Sequence, residues 1–517
     1  MNGGFRQSMT WLHTWAGLVF CWILYFMFVT GTLGYLDAEI DHWMKPEMSS
    51  AKPQSTQNQV ETAQRYLQAN AVGADRWLVV PASGRDEPHL RIFWQMPNPT
   101  GEPVEDPESL CGNHLLNVDT GERLLEARDT GGGQVLYRMH YVLHYLDFDI
   151  AFRIVGVLTL FMFVAMVSGV IIHKRIFKDL FTFRSHKGQR SWLDMHNLLS
   201  VSSLPFQLMI TYSGLLFMVV TWMPLIAVGS YGFDIQKATV ALTELGGQQA
   251  IERSGSEQLV PDLSELVVVA EQEWGSGQVR NINIQFPGDE NSLITVNREP
   301  GIAALGDRMI FNGVSGEFVE SAEAHPNKPI AFASVMIALH EGLFAGWTLR
   351  WLYVFSGLLG TAMVATGAIY WVAKRKRQDD QPQSLGYRFV DAINVGTIFG
   401  LLIAIASYFL ANRLLPLSME SRAEWEVHIM FIAWAICLLH PIFRPIKTAW
   451  IEQAWAIALI SAAIPVVNAF VTQSNLLQSI GSGDWVMAGF DIAALVTAAV
   501  FCLVAIFLHR LARVPAN

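Results

Sequence analysis

Residues 11–31 read WLHTWAGLVFCWILYFMFVTG, and how this stretch is read decides the fold. No Asp, Glu, Lys or Arg interrupts the sequence between Arg6 and Asp37. A hydrocarbon core takes roughly 20 apolar residues to cross as helix, so 7–36 is expected to span a membrane. It is too long for a signal-peptide apolar region and no small-residue cleavage site follows it, so it is expected to be retained. His13 lies 18 residues before Gly31; that length of helix covers about 27 Å, which places the two near opposite faces of the bilayer.

The rest of the 517 residues fits this reading. Apolar residues make up 52% and charged residues 15%, against the roughly 25% charge of soluble domains. Spans are expected at 7–36, 152–173, 195–224, 350–373, 392–412, 426–443, 450–472 and 487–510, eight helices in all. With a net charge of −10 and no dominant basic tract, a disordered or nucleic-acid-binding protein is excluded. Three of the four cysteines (Cys21, Cys437, Cys502) lie in apolar runs, leaving Cys111 without an obvious partner and excluding a disulfide scaffold. Positive charge sets the orientation. The loop 174–193 carries Lys174, Arg175, Lys178, Arg184, Lys187 and Arg190, and Lys374 to Arg377, Arg444, Lys447, Arg510 and Arg513 follow later spans. All fall on one side if the N-terminus is cytoplasmic. The polar regions 37–150 and 225–347 then lie outside; their acidic excess is −7 over 37–145 and −10 over 225–345.

The chain repeats itself. His196 precedes Gly214 by the same 18 residues, and the glycines sit in V-T-G and Y-S-G. The return helices carry Ser168-Gly169 and Thr366-Gly367, open at Arg153 and Arg350, and come after L-H-Y and L-H-E segments containing His144 and His340. Each outer region has an amphipathic stretch (Val60 to Leu67; Leu263 to Trp274), alternating runs (Trp77 to Val80 and His89 to Trp94; Val279 to Phe286 and Ser292 to Asn297) and a turn, Thr120-Gly121-Glu122 or Ser315-Gly316-Glu317. The expected fold class is therefore a mainly α membrane protein with two small α+β outer domains and an internal duplication of helix, outer domain, helix over residues 1–175 and 190–375. Four more helices come after them without an outer domain.

The WLHTWAG start, the paired S/T-G helices, the LHY and LHE segments and the outer modules resemble the PepSY-associated transmembrane family. Within it, the chain is similar to the inner-membrane ferric-siderophore reductases of Gram-negative bacteria. The resemblance covers residues 1–375 and implies PepSY-like periplasmic domains, haem and reduction of ferric siderophores.

Haem b takes neutral imidazoles as axial ligands. No C-x-x-C-H occurs, which disfavours covalently attached haem. Topology places His13 and His196 toward the cytoplasm beside Gly169 and Gly367, and His144 and His340 toward the outside beside Gly31 and Gly214. Two haem b groups are therefore expected, an inner one on His13 and His196 and an outer one on His144 and His340, with Arg153 and Arg350 placed for outer propionates or an anionic ligand. His140, four residues before His144, and His173 are alternative ligands. Each histidine also reads as a polar end-anchor, and each S/T-G pair as a helix-packing contact. His428, His440 and His509 read as span-end residues. His42, His89, His114, His186 and His325 lie in polar regions and are expected to be solvent-exposed.

No dinucleotide-binding fingerprint, HExxH, GxSxG or P-loop is present, so neither an NAD nor an FAD site is expected in this chain. Electrons are expected from a cytoplasmic reductase or a membrane quinol and pass to a periplasmic ferric siderophore. Two other readings stand beside this one: a non-catalytic membrane anchor whose outer modules bind a peptide or protein partner, and a siderophore or haem transporter.

Overall fold

The computed structural model describes residues 3–48, 54–98, 110–124, 127–173, 183–184, 187–218, 251–302, 306–323, 328–376 and 385–513. Parts of the expected basic loop (174–182, 185–186), the end of the third span (219–224), the start of the second outer region (225–250), Arg377, His186 and His325 lie outside the described residues. In chain order the elements are α1 (Gly3–Gly34), α2 (Asp37–Met44), α3 (Thr56–Asn70), β1 (Arg76–Val80), β2 (Leu90–Gln95), β3 (Cys111–Leu116), α4 (Gly132–Met139), α5 (Phe148–Ile172) and α6 (Gln189–Phe217). Next come α7 (Leu263–Trp274), β4 (Val279–Gln285), β5 (Leu293–Arg298), β6 (Arg308–Asn312), β7 (Phe318–Ala322), α8 (Lys328–Glu341) and α9 (Trp347–Lys376). The last are α10 (Leu385–Ile398), α11 (Gly400–Leu414), α12 (Arg422–Phe443), α13 (Ile446–Val471), α14 (Leu476–Ser482) and α15 (Trp485–Arg513).

Two compact units form. The first comprises 1–48, 127–215 and 345–517. Eight of the described helical stretches are long and apolar enough to cross a membrane, with α10 and α11 together making one of them. Within this unit α1 packs against α4, α5, α9 and α10. Indole and amide groups tie these helices together where the surroundings offer no water: Trp22 Nε1 donates to Asn394 Oδ1 at 2.8 Å, and Asn394 Nδ2 donates to the Ala368 carbonyl at 3.2 Å. The break between α10 and α11 has a local cause. Trp434 Nε1 donates to the Gly396 carbonyl at 3.1 Å and the Tyr25 hydroxyl to the Ile398 carbonyl at 2.9 Å, so side chains satisfy two carbonyls at the break.

The second unit, 49–126 and 216–344, is built on a sheet. The sequence predicts two separate outer modules; their strands instead join in one seven-stranded antiparallel sheet of order β3-β2-β1-β4-β5-β6-β7. The physical reason is edge protection. β1 and β4 would each expose a row of unpaired backbone groups, and pairing them in the register Trp77↔Ile284 and Val79↔Ile282 removes both edges. Alternating residues of these strands (Trp77, Val79, Ile282, Ile284, Ile294, Val296) form one core with α3 and α7. Gln64 links the two helices, donating to the Pro261 carbonyl at 2.8 Å and accepting from Leu263 N–H at 2.9 Å. The two S/T-G-E turns make the same hydrogen bonds. Asn117 and Asn312 each receive two backbone N–H groups on Oδ1, and Gly121 and Gly316, with φ of 72° and 73°, each return an N–H to the asparagine carbonyl.

Three histidines expected in solvent are engaged. His89 is buried. His114, on β3, bonds the Tyr66 hydroxyl through Nδ1 at 2.9 Å, and His42, half-buried in the first unit, bonds Asp484 through Nε2 at 2.8 Å. Polar sequence around them marks an outer region and does not report the folded core inside it.

Asp289 fastens the segment before α7. Its carboxylate accepts from Ser254 N–H, Ser254 Oγ, Gly255 N–H and Asn291 N–H at 2.8–3.0 Å. Desolvation opposes ionisation, but these bonds outweigh it and hold the carboxyl down at about 2. A depressed carboxyl contributes stability that is complete above its unfolded value and lost as the pH falls through the folded one. Asp289→Asn is expected to speed amide exchange across 251–258 at pH 7. In the parent protein, the same segment is expected to stay protected at pH 4 and loosen only near pH 2.

Candidate functional site

Three imidazoles of the first unit sit in the same kind of seat. His13, on α1, bonds the Ala165 carbonyl of α5 through Nδ1 at 2.8 Å. His196, on α6, bonds the Met363 carbonyl of α9 at 2.9 Å, and His140, just past α4, bonds the Met27 carbonyl of α1 at 2.8 Å. Each carbonyl lies four residues before a glycine: Gly169, Gly367 and Gly31. A Cβ at Gly169 would lie 3.2 Å from His13 Cε1, at Gly367 3.1 Å from His196 Cε1, and at Gly31 2.6 Å from His140 Nδ1. The glycines are therefore what lets an imidazole lie against the helix surface. The residue before each glycine also acts on the carbonyl. Ser168 Oγ donates to the Ala165 carbonyl and Thr366 Oγ1 to the Met363 carbonyl, both at 3.0 Å; Thr30 Oγ1 reaches the Met27 carbonyl at 3.3 Å. Three of the four S/T-G pairs, those ending in Gly31, Gly169 and Gly367, are thus close packing sites whose partner is a histidine ring.

The bond has a chemical consequence. A carbonyl only accepts, so Nδ1 carries a proton in each ring, and in the neutral imidazole the lone pair is then on Nε2. That is the ligating form of histidine, with its orientation fixed by an outer hydrogen bond.

His13 and His196 face one another with ring centres 6.3 Å apart and planes at 64°. Imidazole–metal bonds of about 2 Å on opposite sides of one ion put ring centres on the order of 6 Å apart, so the pair is spaced to share one metal. Both line a cavity of about 500 Å³ together with Gly169, Gly367 and His173. At one end the lining is basic, with Arg6, Arg190, Lys374 and Arg375; elsewhere it is apolar, with Leu24, Phe161, Met162 and Leu204. Arg375 is held with its guanidinium 3.6 Å from the Trp371 ring centre, and Arg184 is paired with buried Asp194 at 2.9 Å. An apolar slot with two imidazoles and a cationic mouth fits a flat macrocycle that carries two carboxylates.

The other expected residues are placed differently. His140, not His144, occupies the seat on Gly31. α4 ends at Met139 and sets His140 against α1, whereas His144 lies in the turn beyond, its ring 4.7 Å from that of Tyr145 and 5.9 Å from that of Phe431. Burial keeps His140 below the ordinary histidine value, with the Met27 bond opposing, and hence neutral. Burial, then the neighbouring His428 and Arg138, also lower His144, with Glu424 opposing. Arg350 is buried and donates to the Tyr35 and Ala345 carbonyls at 3.2 and 3.1 Å, a placement that supports the ends of helices; Arg153 is exposed. Gly214 comes directly after Ser213, whose Oγ donates to the Met209 carbonyl at 2.7 Å and the Ile210 carbonyl at 3.1 Å. His340 belongs to the second unit, where its ring lies 5.3 Å from that of Phe217. His428 bonds the Tyr145 hydroxyl at 2.7 Å, His440 bonds Glu452 at 2.9 Å, and His509 is exposed.

Sequence reasoning did not point to the carbonyls of Ala165, Met363 and Met27. The only signal for them is indirect, a hydroxyl residue before a glycine, four positions after the carbonyl. Nor did it find Gln207, fully buried on the cavity lining, whose Nε2 donates to the Ser356 carbonyl at 3.0 Å.

The sequence profile described as PepSY-associated TM region matches residues 10–374, more than half of the chain. No curated protein matches it.

Crowding at the seats gives a direct test. Gly31→Ala is expected to push His140 off the Met27 carbonyl and lower stability in detergent by about 1–3 kcal/mol. Gly17→Ala, where a Cβ meets nothing within 4 Å, is expected to leave thermal unfolding unchanged or slightly raised.

Proposed function

The chain belongs to the family of PepSY-associated membrane proteins, and we propose that it is a haem-dependent reductase of the bacterial inner membrane that reduces ferric siderophores on the periplasmic side. The observation that carries this reading is the pair His13 and His196. Each has Nδ1 tied to a backbone carbonyl, and they line one cavity with ring centres 6.3 Å apart.

The residues present fit haem b. His13 and His196 would hold the iron through Nε2, while Ala165 and Met363 fix ring orientation and tautomer. Arg6, Arg190, Lys374 and Arg375 supply cations for propionates at the cavity mouth, and Gly169 and Gly367 give the rings room. His140, neutral and seated on Gly31, would serve as one axial ligand of a second haem, taking the place expected for His144. When bound, haem supplies a one-electron Fe(III)/Fe(II) couple. The apolar lining would keep water from the bound group, and the two imidazoles, each fixed through Nδ1, would hold it in place.

In the reaction proposed, a quinol or a cytoplasmic reductase gives up electrons and a ferric siderophore takes one. The ferrous ion, bound more weakly, then leaves. The inside-positive loops orient the chain with its N-terminus in the cytoplasm and both polar regions in the periplasm. The PepSY-like modules and the four duplicated S/T-G pairs belong to the same reading.

Pyridine haemochrome analysis of the purified protein is expected to give haem b at about two equivalents, counted as the two proposed sites. His13→Ala and His196→Ala are each expected to remove the same single haem. His140→Ala is expected to remove the other, and His144→Ala neither. A colourless preparation would contradict the proposal and favour a membrane anchor. Entry of labelled siderophore into vesicles without reduction of its iron would favour a transporter.

A further inference from the structure

The reaction gives no task to the C-terminal helices, yet a densely hydrogen-bonded buried polar cluster lies there. Arg422, Glu426 and Asn412 are fully buried. A buried ion pair between apolar helices is a poor stabiliser because of what its desolvation costs, so its presence asks for a geometric purpose. Glu426 receives four hydrogen bonds: from Arg422 at 2.6 Å and Asn412 at 2.9 Å on Oε1, and from Thr130 Oγ1 at 2.6 Å and Gly131 N–H at 3.2 Å on Oε2. Two of its partners belong to the segment that leads into α4.

That segment is gripped along its length by α11 and α12. Arg128 donates to the Asn412 carbonyl at 2.8 Å. Asp129 accepts from Arg422 on its carbonyl at 2.7 Å and from Ala423 N–H on its carboxylate at 3.0 Å. Asn412 Nδ2 donates to Thr130 Oγ1 at 3.0 Å, and the Tyr408 hydroxyl to the Gly132 carbonyl at 2.8 Å. Directly after Thr130 the chain runs Gly131-Gly132-Gly133, and no larger residue fits. A Cβ at Gly132, where φ is 60°, would collide with Asp41 Oδ1, and one at Gly133 with the backbone of Asp37. Three consecutive glycines have little conformational preference of their own, so one arrangement must be imposed from outside. From Gly133 to His140, α4 is a lever about 10 Å long.

We propose that Glu426, with Arg422 and Asn412, is a positioning device: the C-terminal helices clamp residues 128–132 so that α4 delivers His140 to its seat on Gly31. This rests on the reading of His140 as a haem ligand. The clamp gives α11 and α12 a task and accounts for the buried carboxylate there.

Thr130→Val removes the hydroxyl that Glu426 accepts at nearly constant shape, Glu426→Gln removes the charge, and Thr130→Ser keeps the hydroxyl. In Thr130→Val and Glu426→Gln, the His140 haem is expected to change its reduction potential and electron paramagnetic resonance signature or fall in occupancy. The His13–His196 haem should stay as in the parent and report that the protein is folded; Thr130→Ser should restore the parent behaviour. Amide exchange across 131–140 should quicken at least about tenfold in Thr130→Val, as leaving one buried partner unsatisfied implies. Unchanged potentials and exchange overturn the proposal, as does equal loss of both haems in Thr130→Val and Thr130→Ser. If the parent protein holds no haem, the proposed function fails. The exchange measurement then decides the clamp alone: faster exchange in Thr130→Val supports it, and unchanged exchange overturns it.

Discussion

The hydrogen bond from an imidazole Nδ1 to a helix carbonyl, made where a glycine opens the helix surface, is the constraint on which the rest depends. In the interior of a membrane helix a carbonyl is already committed to the i+4 N–H, and a second donor needs access that a side chain at the glycine would block. Meeting that condition at Ala165, Met363 and Met27 ties α1 to α5 and α6 to α9 and brings the end of α4 onto α1. It also decides chemistry. A histidine held this way is oriented and, in its neutral form, presents the Nε2 lone pair in a fixed direction, whereas a histidine acting as a span-end anchor is free to rotate into the headgroup region.

Much of this arrangement was legible in the sequence. The eight charge-poor stretches, the His-to-Gly spacing of 18 and the S/T-G pairs placed His13 beside Gly169 and His196 beside Gly367, because helix rise and chain direction leave few alternatives. The strands β1, β2, β4 and β5 and the two turns were legible for a similar reason, since alternation and Asn…Gly turn chemistry are local. Strands β3, β6 and β7 were not read from the sequence. Three further features were not legible. The joining of the two modules through β1 and β4 is a long-range pairing between residues some 200 positions apart, and nothing local announces it. The choice of His140 over His144 turns on where α4 stops, and a helix end is uncertain by one or two residues, which is enough to rotate a side chain to another face. The Glu426 cluster joins positions 128–132 to 408–426, and its members read singly as span-end polar residues.

Both units meet polar demands with bonds between distant residues. In the sheet unit Gln64 joins Pro261 and Leu263, and Arg76 joins Asn283, beside the local bonds of the Asn117 and Asn312 turns. The helical unit meets them across the chain: Arg128 bonds Glu47 and Asn412, and Arg413 bonds Asn468 and the Trp43 carbonyl. Long-range polar contacts are what an apolar environment favours, since an unsatisfied group there has no water to turn to. The same logic makes α1 the hub of the unit, because it supplies one histidine and receives another.

The central claim, that His13 and His196 jointly hold an iron porphyrin, is tested most directly by a cryo-electron microscopy map of the protein purified with its native cofactors. The account predicts flat macrocycle density filling the cavity, with its metal between the Nε2 atoms of both rings and the carboxylates toward Arg6 and Arg375. Continuous lipid or solvent density between the rings, with no macrocycle, would contradict it.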